Sequence, residues 1–123
     1  MKRILALTFA TLLAVAAIAA PFGPVYQGTK TISCGTSSTA TALATNFAGQ
    51  FVPFQVIVRN KGTVEVFVEF GDSSGITSAV ATGQPVLAGT IEIFTVAGST
   101  THIACISGSG TQTVYASIGK GEN

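Results

Sequence analysis

Few side chains in this sequence could do chemistry. They are Glu65, Glu69, Asp72, Glu92 and Glu122, the single histidine His102, and two cysteines, Cys34 and Cys105. Acid–base catalysis needs titratable groups that converge on one substrate. Glu65 and Glu69 share one face of an alternating stretch, but four residues of strand separate them by about 13 Å. That exceeds the roughly 5–9.5 Å between paired glycosidase carboxylates, so both read as solvated charges. Zinc takes three or four ligands from Cys, His and carboxylate. Cys105 lies three residues beyond His102, so in a strand the two project to opposite faces. That parity argues against shared ligation and against a Cys–His nucleophile. Gly71-Asp72-Ser73-Ser74-Gly75 lacks the Lys-Ser/Thr ending of a phosphate loop, no helical pattern follows it, and it reads as a turn. The sequence therefore predicts no catalytic residue, no metal site, no cofactor and no enzyme activity.

The elements that would carry these residues are strands. Thr63 to Phe70 alternates, with Val64, Val66, Val68 and Phe70 on one face and Glu65, Phe67 and Glu69 on the other. Phe54 to Arg59 does the same, and Asn60-Lys61-Gly62 between the two reads as a hairpin connector. Tyr26–Cys34, Ile91–Val96, Thr101–Ser107 and Thr113–Ile118 are further β-branched runs bounded by Gly and Ser turns, and Ala40–Ala44 and Ile76–Val80 are weaker ones. Gly83-Gln84-Pro85 reads as the start of a loop. About seven or eight short strands predict an all-β antiparallel sandwich or jelly-roll-like domain over residues 25–123. The expectation leaves a jelly roll and an immunoglobulin-like order both open. Ile57 and Phe67 are apolar residues on the otherwise polar side of their strands. Either loops cover them, or they belong to a second buried face made with another subunit or with the N-terminal segment.

Residues 1–24 form that segment. Lys2-Arg3 precedes Ile4 to Ala20, 17 residues without a charge, and Pro21-Phe22-Gly23-Pro24 then breaks the pattern as a joint. Three readings stand. The run is a signal peptide with an Ala17-Ile18-Ala19 cleavage site and Ala20 as the new first residue. It is a short helix that contacts a membrane through residues 4–20. Or it is a hydrophobic helix or arm buried in an assembly, with Phe9, Leu12 and Leu13 as interface residues.

Composition narrows the class. The 123 residues are 47% hydrophobic and 9% charged, with 14 Gly, 17 Thr and 10 Ser. One domain fits this length, and charge-driven disorder or a helical bundle does not fit this composition. Beyond residue 20 only Lys30, Arg59, Lys61 and Lys120 are basic. Binding to nucleic acid needs clustered cations for the phosphates, so it is not expected. A surface so poor in charge suits packing against protein neighbours. The cysteines have two readings: in an exported domain a Cys34–Cys105 disulfide would close a loop of about 70 residues, and in a cytoplasm both would be free, buried thiols.

From residue 64 the order of motifs adds a resemblance. VFVEFGDSS (66–74) precedes PVLAGTIEIF (85–94), and TTHIACISGSGTQTVYASIGKGE (100–122) follows. Over residues 50–122 this resembles small β-rich proteins encoded among the virion structural genes of tailed bacteriophages. Those commonly carry a strand ending in Phe-Gly-Asp, an AG-x-x-E strand start, a THIA strand and a final GT-x-TVY strand. The resemblance implies a virion component: a decoration, cement or minor capsid protein that binds the major capsid protein, other virion proteins or its own copies, trimers included. It also favours free thiols. The alternative is an exported cell-surface β-sandwich module with a cleaved signal and one disulfide.

Overall fold

The computed structural model describes residues 22–44 and 52–121. The apolar run 4–20, with Phe9, Leu12 and Leu13, lies outside the described residues, as does Glu122.

The described chain is all-β, with no helix among the described residues. Its eight strands are β1 (Phe22–Cys34), β2 (Thr39–Ala42), β3 (Phe54–Asn60), β4 (Val66–Gly71), β5 (Gln84–Val86), β6 (Ile91–Val96), β7 (His102–Ser107) and β8 (Gln112–Gly121). They form two antiparallel four-stranded sheets, ordered β1-β8-β3-β6 and β2-β7-β4-β5. The pairing is nested: β1 takes β8, β2 takes β7, β3 takes β6 and β4 takes β5. The pairs β3–β8 and β4–β7 then complete the sheets. Only the β4–β5 connection stays within one sheet; every other connection crosses between the two.

Alternation explains the core. In β3 Phe54, Val56, Val58 and Asn60 are buried while Gln55, Ile57 and Arg59 point away. In β4 Val66 and Val68 are buried. Ile32, Val86, Ile103, Val114 and Ile118 join them from four other strands, so both inner faces are filled mainly by β-branched residues, whose stiff side chains suit a pleated surface. Phe70 and Phe94 close one margin, with ring centroids 5.2 Å apart.

Cys34 and Cys105 are disulfide-bonded, with Cα atoms 5.4 Å apart and both side chains fully buried. This corrects the preference for free thiols. Cys34 ends β1 in one sheet, Cys105 lies on the inner face of β7 in the other, and strand alternation aims both into the same gap.

Other expectations also need correction. Asn60-Lys61-Gly62 is not a hairpin: β3 and β4 belong to different sheets, and 61–65 is a crossover. Phe22-Gly23-Pro24 is not a joint outside the domain but already pairs with Gly121, Lys120 and Gly119. Because β1 is an edge strand, it tolerates Pro24, and residues 22–24 already belong to the sandwich. Ile76–Val80 is not a strand, whereas Gln84–Val86, read as a loop, is one.

Candidate functional site

The structure disperses the residues that could do chemistry. Cys105 points inward from β7. His102 lies on the other parity, opposite Gly71 and Ala42, and its Nδ1 is 2.7 Å from the Thr101 hydroxyl. Glu69 stands opposite Ala104 on the outer side of its sheet, Asp72 is exposed in the turn after β4, Glu92 is exposed on β6, and Glu65 precedes β4. Among the described residues no three His, Cys, Asp or Glu side chains gather where they could hold a metal ion. No helix among them is long and apolar enough to cross a membrane.

Ile57 and Phe67 are half-buried, but on the outer faces of different sheets, so they do not form one patch. Phe67 sits under the segment that joins β4 to β5. Its β5 partner Pro85 has no N–H to offer, and the Ser78 hydroxyl donates to the Phe67 carbonyl at 3.0 Å. The Ser78 N–H donates to the Ser38 hydroxyl at 2.8 Å, which ties this segment to the start of β2. On the same outer face Ala104 is fully buried. For Phe67, then, a loop provides the cover.

Ile57 has different surroundings. Across the outer face of its sheet the register sets Thr29, Ser117, Ile57 and Ile93 in one row. The Thr29 and Ser117 hydroxyls are hydrogen-bonded at 2.8 Å. A second row runs Thr31, Tyr115, Arg59, Ile91, and a third contains Gly119, Gln55 and Thr95. Ile91 and Ile93 end two of these rows at the sheet edge and are 55% and 56% exposed. Together Ile57, Ile91 and Ile93 form an apolar patch beside the free side of β6. The sequence placed Ile91 and Ile93 in a strand but did not single them out. The available signal was the same one that marked Ile57: apolar residues on both faces, Ile91 and Ile93 on one, Phe94 and Val96 on the other.

A shallow polar recess lies between the 61–63 crossover and the start of β8, lined by Lys61, Thr63, Thr111 and Tyr115. At its base the Gln112 Oε1 accepts the Thr63 N–H at 2.9 Å and its Nε2 donates to the Ser109 carbonyl at 3.1 Å. The amide is thus engaged in holding the crossover. Among the described residues no carboxylate or imidazole lines the recess.

No protein-family model matches the chain, and no curated protein matches it.

Proposed function

We propose that this chain is a structural protein of a virion, a decoration, cement or minor capsid component. It would act by packing against the major capsid protein, other virion proteins or its own copies. The observation that carries the reading is the outer face of the β1-β8-β3-β6 sheet. It presents hydroxyls, Tyr115 and an exposed isoleucine patch, with Arg59 as the charged side chain of the rows described. A protein face so poor in charge is suited to burial against protein. The nested strand order supports the reading further. It is that of a jelly roll with two Greek keys, an architecture used in viral capsid and lectin domains; the support is analogy of fold alone. The motif order of residues 50–122 points the same way. The test is the protein content of purified particles. A fixed copy number per particle supports the reading, and absence from washed particles overturns it. Removal of residues 1–21, which stops short of β1, should lower occupancy if that segment serves as an arm; unchanged occupancy removes the arm from the account.

One observation favours a second reading, an exported surface module: the buried Cys34–Cys105 disulfide, a bond at home in oxidising compartments. The mass of the native protein separates the two, since a chain beginning at Ala20 indicates export and one beginning at Met1 indicates the arm.

A further inference from the structure

We propose that two copies of this chain associate through their β6 strands, edge to edge and antiparallel, about a two-fold axis at Ile93. The inference rests on the reading of this outer face as a binding surface, and it names the occupant: a second copy.

The four edge strands differ in how they meet solvent. Natural sheets protect free edges by shortness, proline, lysine or irregular pairing. β2 has four residues, all Thr or Ala. β5 has three, with Pro85 in the middle. β1 carries Pro24 and Lys30, and its register shifts between Pro24 and Thr29. β6 has none of these features. It runs Ile-Glu-Ile-Phe-Thr-Val over six regularly paired residues with one charge, Glu92. Its residues 91, 92, 93 and 95 are all exposed, and among the described residues no strand pairs with its outer side.

The sequence of β6 suits pairing with itself. With the axis at Ile93, Ile93 faces Ile93 of the second copy, Ile91 faces Thr95, and Glu92 faces Phe94. No charge meets a like charge. The central row then reads Ile57, Ile93, Ile93, Ile57 across the junction, flanked on each side by a row that ends in Arg59 and Gln55. Apolar and β-branched cross-strand pairs are the favourable ones, and like charges directly opposite are unfavourable. The product is one continuous eight-stranded sheet with its most apolar row at the centre. A six-residue strand is only about 20 Å long, so the contact is small and its self-association weak. Weak contacts of this kind hold well when many copies are displayed side by side.

Sedimentation of the full chain over a wide concentration range tests this, together with oxidative cross-linking. The wild-type chain should show a concentration-dependent dimer. Ile93→Lys sets two ammonium groups face to face and should weaken the dimer about tenfold or more, with an unchanged far-UV spectrum and unfolding midpoint. Ile93→Cys should cross-link to a covalent dimer under mild oxidation, because residues directly opposite in an antiparallel pair lie about 4.5–5.5 Å apart, within disulfide reach. Thr95→Cys should not, because the two Thr95 positions are about 13 Å apart in this register. The native cysteines are bonded to each other, so the introduced thiol acts alone. A wild-type chain that stays monomeric at millimolar concentration overturns the inference. So does unweakened self-association of Ile93→Lys, or equal cross-linking at 93 and 95. Particle occupancy is a separate readout: a monomeric protein found on particles refutes the self-pairing and leaves the virion reading standing.

Discussion

Asn60 shows how one polar side chain holds this sandwich. It is fully buried. Its Nδ2 donates to the Val64 carbonyl at 2.9 Å and to the Val86 carbonyl at 3.0 Å, and its Oδ1 accepts the Gly62 N–H at 2.9 Å. Its backbone bonds the far turn, giving its N–H to Thr90 and taking that of Gly89. One residue thus ties β3, the 61–65 crossover, β5 and the turn before β6. Asn60→Ala strands buried carbonyls and should cost about 3 kcal/mol, measured as a lower urea midpoint. Asn60→Asp keeps the shape but sets a carboxylate against two carbonyl oxygens, and it should cost at least as much. Gly119 carries a different constraint. A Cβ there would meet the Phe22 ring at 2.5 Å and the Gly23 carbonyl at 2.6 Å. Gly119→Ala should therefore cost about 1–3 kcal/mol. Phe22→Ala should restore only part of that in the double variant, because the backbone contact persists.

At the scale of the element, β6 is a stable part of one sheet and an open edge of the same sheet. Its inward residue Val96 is buried, and Phe94 packs on Phe70; its outward isoleucines do no such work. Ile91→Thr with Ile93→Thr should leave unfolding free energy within about 0.5 kcal/mol of wild type. Binding of an apolar fluorescent dye to the native protein should fall in the same variant. Strands were readable where one face is buried and the other wet, as in β3 and β4, because alternation records that asymmetry. Sheet membership was not readable. Asn60-Lys61-Gly62 has the composition of a hairpin, but the partners that draw the chain out of the sheet there are distant in sequence, Val86 on Asn60 being 26 residues away. β5 escaped notice because three residues with a central proline carry no period. Ile76–Val80 looked like a strand from its β-branched ends, yet Ser78 spends its N–H and its hydroxyl on Ser38 and Phe67 instead of a ladder. The candidate patch was half legible: Ile57 broke its strand's polar face, but its neighbours at 91 and 93 depend on a register that no local pattern states.

At the scale of the molecule, nearly all pairing is between distant parts of the chain. β1 and β8 join the two ends of the described residues, and every connection but one changes sheets. Such topologies must close long loops before contacts reward them. Refolding from denaturant with the disulfide intact should take milliseconds to seconds, slow for so short a chain, by stopped-flow fluorescence. The disulfide lowers part of that barrier and stabilises the product. It spans 71 residues, and the chain-entropy account gives it about 4 kcal/mol. Cys34→Ala with Cys105→Ala should lose stability of that order in guanidinium unfolding. A wild-type sample unfolded in reductant should lose the same amount.

The bridge also closes a covalent ring around β2, β3, β4, β5 and β6, and the exposed turn at residues 72–75 lies on that ring. A protease that nicks the turn would therefore release nothing. The two pieces would migrate as one species on a gel until the sulfurs are separated, and only then as two. The first cut leaves the molecule in one covalent piece.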